Sequence, residues 1–180
     1  MKGLRVVSPT LTTDRLILRS LREEDAPVVQ RLLSTPHFAP HTLSFPYPYP
    51  AGAALAWIRR KRSREEEGVE HQWAITLPDD EFVGSIGIAT PPGTSTGHIG
   101  YWIGHAYWNR GYATEATRAV IEYGFGTLRL RRIEATCFPG NPASARVLEK
   151  AGMAFEESRE AHLVKDGEPR DVLVYSVTGP

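Results

Sequence analysis

The chain has 180 residues, 41% hydrophobic and 23% charged, the proportions of an ordinary folded domain and not of a disordered or fibrous chain. Its 21 lysines and arginines balance 21 aspartates and glutamates, so there is no basic excess to hold nucleic acid through an overall field, although a small polyanion can still be bound locally. One cysteine, Cys137, excludes an intrachain disulfide; no secretory segment and no apolar stretch of membrane-spanning length occurs, so a cytoplasmic protein with neither nucleic-acid nor membrane partners is expected.

In chain order, Leu16 to Leu21 has strand length, and the acids Glu23 to Asp25 with Pro27 then open a helix that runs to Ser34. Five prolines from Pro36 to Pro50, interleaved with Phe38, Phe45, Tyr47 and Tyr49, block helix and central strand alike. Two readings stay open for this segment: a loop pinned by its rings, or a wall over a binding site. A second helix covers Ala51 to about Arg64, and its basic run from Arg59 to Arg64 meets Glu65 to Glu67, which predicts a solvated helix end in place of a nucleic-acid patch.

Strands follow at His71 to Leu77, Phe82 to Ala89 and His98 to Gly104, joined by short turns as in an antiparallel meander. Thr114 to Gly126 repeats at helical spacing, Arg132 to Phe138 alternates as a strand, and Asn141-Pro142 caps a helix that Gly152 stops. Ala154 to Val164 and Val172 to Val177 are two last strands, split by a turn at Lys165 to Pro169. This order predicts one α/β (α+β) domain over residues 1–180.

Three familiar patterns do not carry chemistry here. Gly93-Thr94-Ser95-Thr96-Gly97 matches a serine-hydrolase elbow, but prolines precede it and a strand follows, so Ser95 is kept only as a remote alternative nucleophile. His37 and His41 have helical metal spacing without the helix, because Pro36 and Pro40 intervene, and no metal site is expected. Neither common glycine-rich nucleotide loop occurs.

Trp108-Asn109-Arg110-Gly111-Tyr112-Ala113-Thr114 offers another way to hold a phosphate: it follows a strand and runs into an amphipathic helix whose first N–H groups lack partners. An ordinary strand-to-helix turn has the same features. The segment Tyr107 to Ala116, together with Asn141-Pro142-Ala143-Ser144-Ala145-Arg146-Val147-Leu148 through Gly152, resembles the GNAT acyl-CoA N-acyltransferases, in the branch typified by the ribosomal-protein N-terminal acetyltransferases RimJ and RimL. Leu11 to Arg19 is similar to that branch's opening strand and Gly100 to Ile103 to its central one, so the likeness spans nearly the whole chain.

The resemblance implies a mixed, mostly antiparallel sheet splayed between two central parallel strands, His98 to Gly104 and Arg132 to Phe138, with acetyl-CoA in the splay. It implies that amides from Arg110 through Gly111, Tyr112 and Ala113 to Thr114 cradle the pyrophosphate. Pantetheine would pair with backbone near Trp102 and Ile103, and Asn141 would bond it from the other side. The amine acceptor, a protein N-terminus or a small molecule, would attack the thioester directly through a tetrahedral intermediate, with backbone N–H groups steadying the oxyanion. Ser144, one turn beyond the cap, is the candidate to hydrogen-bond or protonate the thiolate, and it also counts among the cofactor contacts. His98 is the candidate base, although an α-amino group with a pKa of about 7.7 to 8.0 can react without one.

Two departures stand out. Trp108 replaces the Gln or Arg that commonly opens the pyrophosphate motif, and Leu148 replaces the tyrosine acid of many relatives. The second keeps open an acyl-CoA-binding module without turnover. Besides the amine, a second copy of the chain in a homodimer is the other partner considered.

Overall fold

Strand alternation and helical periodicity place two apolar cores on opposite faces of one sheet. In the computed structural model, which describes residues 8–37, 42, 45–165 and 167–179, the chain begins with β1 (Leu11–Thr12) and β2 (Ile17–Ser20). Two helices follow, α1 (Ala26–Leu33) and α2 (Ala53–Glu66), and then three strands, β3 (Glu70–Thr76), β4 (Phe82–Ala89) and β5 (Thr96–Ile103). Helix α3 (Tyr112–Gly126), β6 (Arg132–Cys137), α4 (Pro142–Lys150), β7 (Ala154–Lys165) and β8 (Glu168–Thr178) complete it. The eight strands form one sheet in the order β1-β2-β3-β4-β5-β6-β8-β7. All neighbours are antiparallel except β5 and β6, joined in parallel through α3 as a crossover helix requires.

Along β3, Trp73 and Ile75 pack with Ala116 and Val120 of α3, whereas Ala74 between them packs with Val29 of α1 and Ile58 of α2. The two-residue period thus sends alternate side chains into different cores. Phe45 and Tyr49 of the proline-rich loop are buried in the second core, edge-on to one another, and Phe45 also meets Trp57 and Trp102. Its rings pin this loop. No helix among the described residues is long and apolar enough to cross a membrane.

Three departures from the sequence expectations have physical causes. The first helix starts as a 3-10 turn, Glu23–Asp25, because the Asp25 carboxylate accepts the Arg22 N–H at 2.8 Å and the Arg19 guanidinium at 2.8 and 2.9 Å. The last hairpin is longer than its turn chemistry suggests: Pro169 pairs with Val164 in an arm where β8 has β7 as its neighbour and has not yet met β6, so a missing N–H is tolerated. The basic run of α2 is neutralised by other acids than those beside it in sequence, since Arg59 pairs with Glu23 and both Lys61 and Arg64 pair with Glu70. Glu65 instead is buried, accepting the Ser8 N–H at 3.0 Å and the Ser8 hydroxyl.

Ser8 also lies 3.2 Å from His71 Nδ1, which the Tyr123 hydroxyl approaches at 3.4 Å. Burial holds the His71 pKa below its ordinary value, with the Glu65 charge opposing that shift. A histidine whose folded pKa lies below its unfolded one contributes stability that is present above the unfolded value, about 6.5, and is lost as pH falls below it. The melting temperature is therefore expected to drop as the pH falls below about 6.5. Substituting His71→Gln should flatten that part of the profile, as followed by calorimetry; an unchanged slope would assign it to other groups.

Candidate active site

Parallel pairing between β5 and β6 runs from Thr96↔Arg132 to Ile99↔Ala135 and then stops. Beyond that point Gly100 to Ile103 stay paired with β4, while Thr136 and Cys137 stay paired with β8. The strands part, and a cleft of about 650 Å³ opens between them. One wall is the β5 backbone from Ile99 to Ile103, the other is Thr136 to Phe138 with the first turns of α4, and the mouth is the N-terminus of α3.

That N-terminus is built to present donors. Gly111 is its cap, with φ of 81°, a left-handed conformation that favours glycine. No side chain caps the helix, so the N–H groups of Tyr112, Ala113 and Thr114, all cleft-lining residues, keep the partial positive charge of the helix end. The acid of this turn does not oppose them. Glu115 is held by Thr13 Oγ1 at 2.6 Å and by Arg15, whose Nε lies at 2.8 Å and whose backbone N–H lies at 2.9 Å. Burial alone would raise the Glu115 pKa, but these bonds hold it below the usual carboxylate range. Arg15 also donates to the Arg110 carbonyl at 2.9 Å, tying β2's leading loop to the turn before α3.

Opposite, Asn141 Oδ1 accepts the Ser144 N–H at 3.1 Å and caps α4, with Pro142 at the first helical position. The cap commits the amide oxygen and leaves its NH₂ as the group for a ligand. Ser144 lines the cleft one turn further on.

The sequence-predicted residues divide accordingly. Ile103, Gly111, Tyr112, Ala113, Thr114, Asn141 and Ser144 all line the cleft. Trp102 lines it as well, but its indole packs into the opposite core against Phe45 and Trp57, so its backbone is what faces a ligand. The Ile103 carbonyl already accepts Trp108 Nε1 at 2.6 Å; the tryptophan that replaces a polar motif residue thereby braces the strand end. Arg110 does not line the cleft: its guanidinium stacks over Tyr107 at 5.7 Å and donates to the Ala106 carbonyl at 3.2 Å.

His98 lies outside it too, at the end where β5 and β6 are still paired, with a half-exposed side chain 3.7 Å from Glu134. Leu148 is fully buried in the core. Of the proline-rich loop, Thr42 reaches the cleft, whereas His37 stacks on His105 at 4.0 Å and Tyr47 is exposed; Trp57, on α2, is buried. His41 lies outside the described residues. Ser95 sits in the turn before β5, its carbonyl accepting the Arg131 N–H at 2.8 Å, with no helix behind it.

The sequence reading also missed cleft residues whose side chains bear on a ligand, among them Arg146, Lys150, Cys137 and Tyr101. Arg146 and Lys150, one turn apart on α4, place two cations along the wall, a spacing of four that was legible. Cys137 is buried there, and burial pushes its thiol up to about 11, so it is neutral at physiological pH. Tyr101 Oη lies 2.8 Å from Ser144 Oγ, and burial pushes the phenol far above its ordinary pKa.

A family model described as an acetyltransferase (GNAT) domain matches residues 15–154. An uncharacterized N-acetyltransferase of Bacillus subtilis, YoaA, is 32% identical over 174 residues, covering 96% of this chain and 98% of its own. The [ribosomal protein uS5]-alanine N-acetyltransferase of Escherichia coli is 28% identical over 181 residues, covering 94% and 91%. Among solved structures, Mycobacterium smegmatis RimJ in complex with CoA-disulfide superposes with a TM-score of 0.81 at 28% identity, over 91% of this chain and 81% of that one. With its parted parallel strands and uncapped helix mouth, the chain belongs to the GNAT family of N-acetyltransferases, and its relatives and structural neighbours include RimJ/RimL-like proteins.

Proposed function

We propose that the cleft holds acetyl-CoA and that the protein, acting in the cytoplasm, transfers the acetyl group to a primary amine, with a protein N-terminal amine as the leading acceptor class. The observation that carries this is the parting of β5 from β6 beside an uncapped helix N-terminus. The activity of the Escherichia coli relative, an alanine N-acetyltransferase on a ribosomal protein, supports the acceptor class. Acetyl-CoA would supply an activated thioester, and the chain's own groups would hold and orient it.

The Tyr112 to Thr114 amides suit the pyrophosphate, as anions suit any helix N-terminus. The β5 backbone suits pantetheine through strand addition, with the Asn141 amide opposite. Arg146 and Lys150 suit the remaining phosphate. Replacing both by alanine is expected to weaken CoA binding about tenfold and to lower its salt dependence, measured by calorimetry at several ionic strengths. An unchanged affinity would remove them from the site.

Ser144 would donate to the sulfur as negative charge builds there. The position of His98 outside the cleft favours transfer without a protein base, which an α-amino group permits because roughly a tenth or more of it is neutral at pH 7. His98→Ala is therefore expected to leave the limiting rate with an N-terminal acceptor within about twofold. A drop of a hundredfold would restore it as the base.

The acceptor is tested by incubating the protein and acetyl-CoA with N-terminal peptides, polyamines and aminoglycosides and reading products by mass spectrometry. An acetyl group on one amine class supports the reading. The buried Leu148, where many relatives place a tyrosine, favours a second reading, a binding module without turnover, and tight CoA binding with no product across the panel would establish that instead.

A further inference from the structure

We propose that Tyr101 is a positioning residue for thiol departure, acting through Ser144 from the opposite wall of the cleft; this rests on the acetyl-transfer reading above. Tyr101 stands on β5 and Ser144 on the first turn of α4, so the contact between them crosses the parting of the sheet. Tyr101 Oη lies 2.8 Å from Ser144 Oγ and 3.3 Å from the Ser144 carbonyl. The carbonyl can only accept, and both acceptors belong to Ser144, so the tyrosine proton is directed at this residue in either geometry. At the shorter contact either hydroxyl can be the donor, and the proposed role is the one in which Tyr101 donates to Oγ.

A serine hydroxyl has one proton and two lone pairs. With Tyr101 filling one lone pair, the serine's own proton is freed for a third atom. Cys137 lines the same cleft, on the strand that forms its other lip. The backbone of Ser144 is meanwhile fixed, since its N–H is held by Asn141. Cap and phenol together leave the hydroxyl one free donor direction.

The chemistry balances without moving either hydroxyl proton. The amine lone pair forms the C–N bond, the C–S bond breaks with its electron pair on sulfur, and the proton shed by nitrogen reaches that sulfur through solvent to give the free thiol. Ser144 donates a hydrogen bond to the sulfur while the charge is present, and Tyr101 strengthens that donor by polarising it. The phenol that Leu148 no longer supplies from α4 is thus supplied from β5. Burial keeps the Tyr101 hydroxyl protonated throughout the working range, so it contributes no titration of its own.

The test compares wild type with Tyr101→Phe, Ser144→Ala and the double variant, all first shown to bind CoA with wild-type affinity. In steady-state thiol release, Tyr101→Phe and Ser144→Ala are each expected to lower kcat about tenfold. KM for acetyl-CoA should stay within about twofold, and the pH profile should keep its shape. The double variant is expected to be no slower than Ser144→Ala alone, because Tyr101 works only through the serine. A wild-type kcat in Tyr101→Phe, losses that multiply in the double variant, or an effect confined to KM would overturn the proposal. If wild type itself binds CoA but acetylates no amine, the transfer reading falls and this inference with it. If wild type turns over normally and only the Tyr101→Phe result fails, the inference alone is lost.

Discussion

Gly111→Trp is expected to weaken CoA binding at least a hundredfold, to the point where calorimetry registers no saturable heat, while the protein stays folded. Two effects combine. The backbone at Gly111 has φ of 81°, which an L side chain adopts at a cost of about 1 kcal/mol. Any Cβ there would also lie 3.3 Å from Arg15 Nη2, in the turn that Arg15 and Glu115 tie together. The indole would then cover the amides of Tyr112 to Thr114, and the phosphate could no longer approach them. Gly111 is exposed and outside both cores, so the melting temperature should fall by only a few degrees. Gly111→Ala, with the strain but without the bulk, should show a loss of a few fold. Equal, small losses in the two variants would mean that the mouth of α3 does not hold the ligand.

Arg19→Ala is expected to have the largest effect on stability, about 3–5 kcal/mol or roughly 10 °C in melting temperature. Arg19 is 7% exposed and Asp25 is 6% exposed, and their two parallel bonds of 2.8 and 2.9 Å make a planar, two-point ion pair. Asp80 adds a third contact at 2.6 Å, and these acids hold the guanidinium pKa well above its ordinary value. Removing the arginine leaves the Asp25 carboxylate buried with, among the described residues, the Arg22 N–H as its remaining hydrogen-bond donor. The penalty is the unpaired charge more than the lost attraction, so Arg19→Met combined with Asp25→Asn should cost less than Arg19→Ala alone. Thermal melts of the three variants decide it, and a double variant that melts below Arg19→Ala would contradict this origin.

Much of the architecture was legible because it is written in short-range period. The helical repeat at Ala116 and Val120, the alternation of Arg132 to Cys137 and the Asn141-Pro142 start each depend on neighbours within a few residues. The mouth of α3 was legible for the same reason, since Gly111 and the helix after it are contiguous. What could not be read lies in contacts between distant segments. The pairing of β5 with β6 ends at Ile99 and Ala135, residues 36 apart in sequence, so His98 could be placed on a strand but not at its still-paired end. Tyr101 was visible as one residue of an apolar strand, yet its partner Ser144 lies 43 residues on, and nothing local announces that contact. The same limit hid the destinations of Glu65 and Glu70, which look like equivalent surface acids but find Ser8 in one case and Lys61 with Arg64 in the other.

Backbone hydrogen exchange with and without CoA tests the siting of the ligand most directly, because the proposed contacts are mainly amides. Binding should protect the N–H groups of Tyr112, Ala113 and Thr114 and, between Gly100 and Ile103, the alternate β5 N–H groups that point away from β4, on the edge that no longer pairs with β6. Amides of Thr96 to Ile99, already paired across to β6, should change little. Protection confined to other segments, or none at saturating CoA, would contradict acetyl-CoA binding between the parted strands.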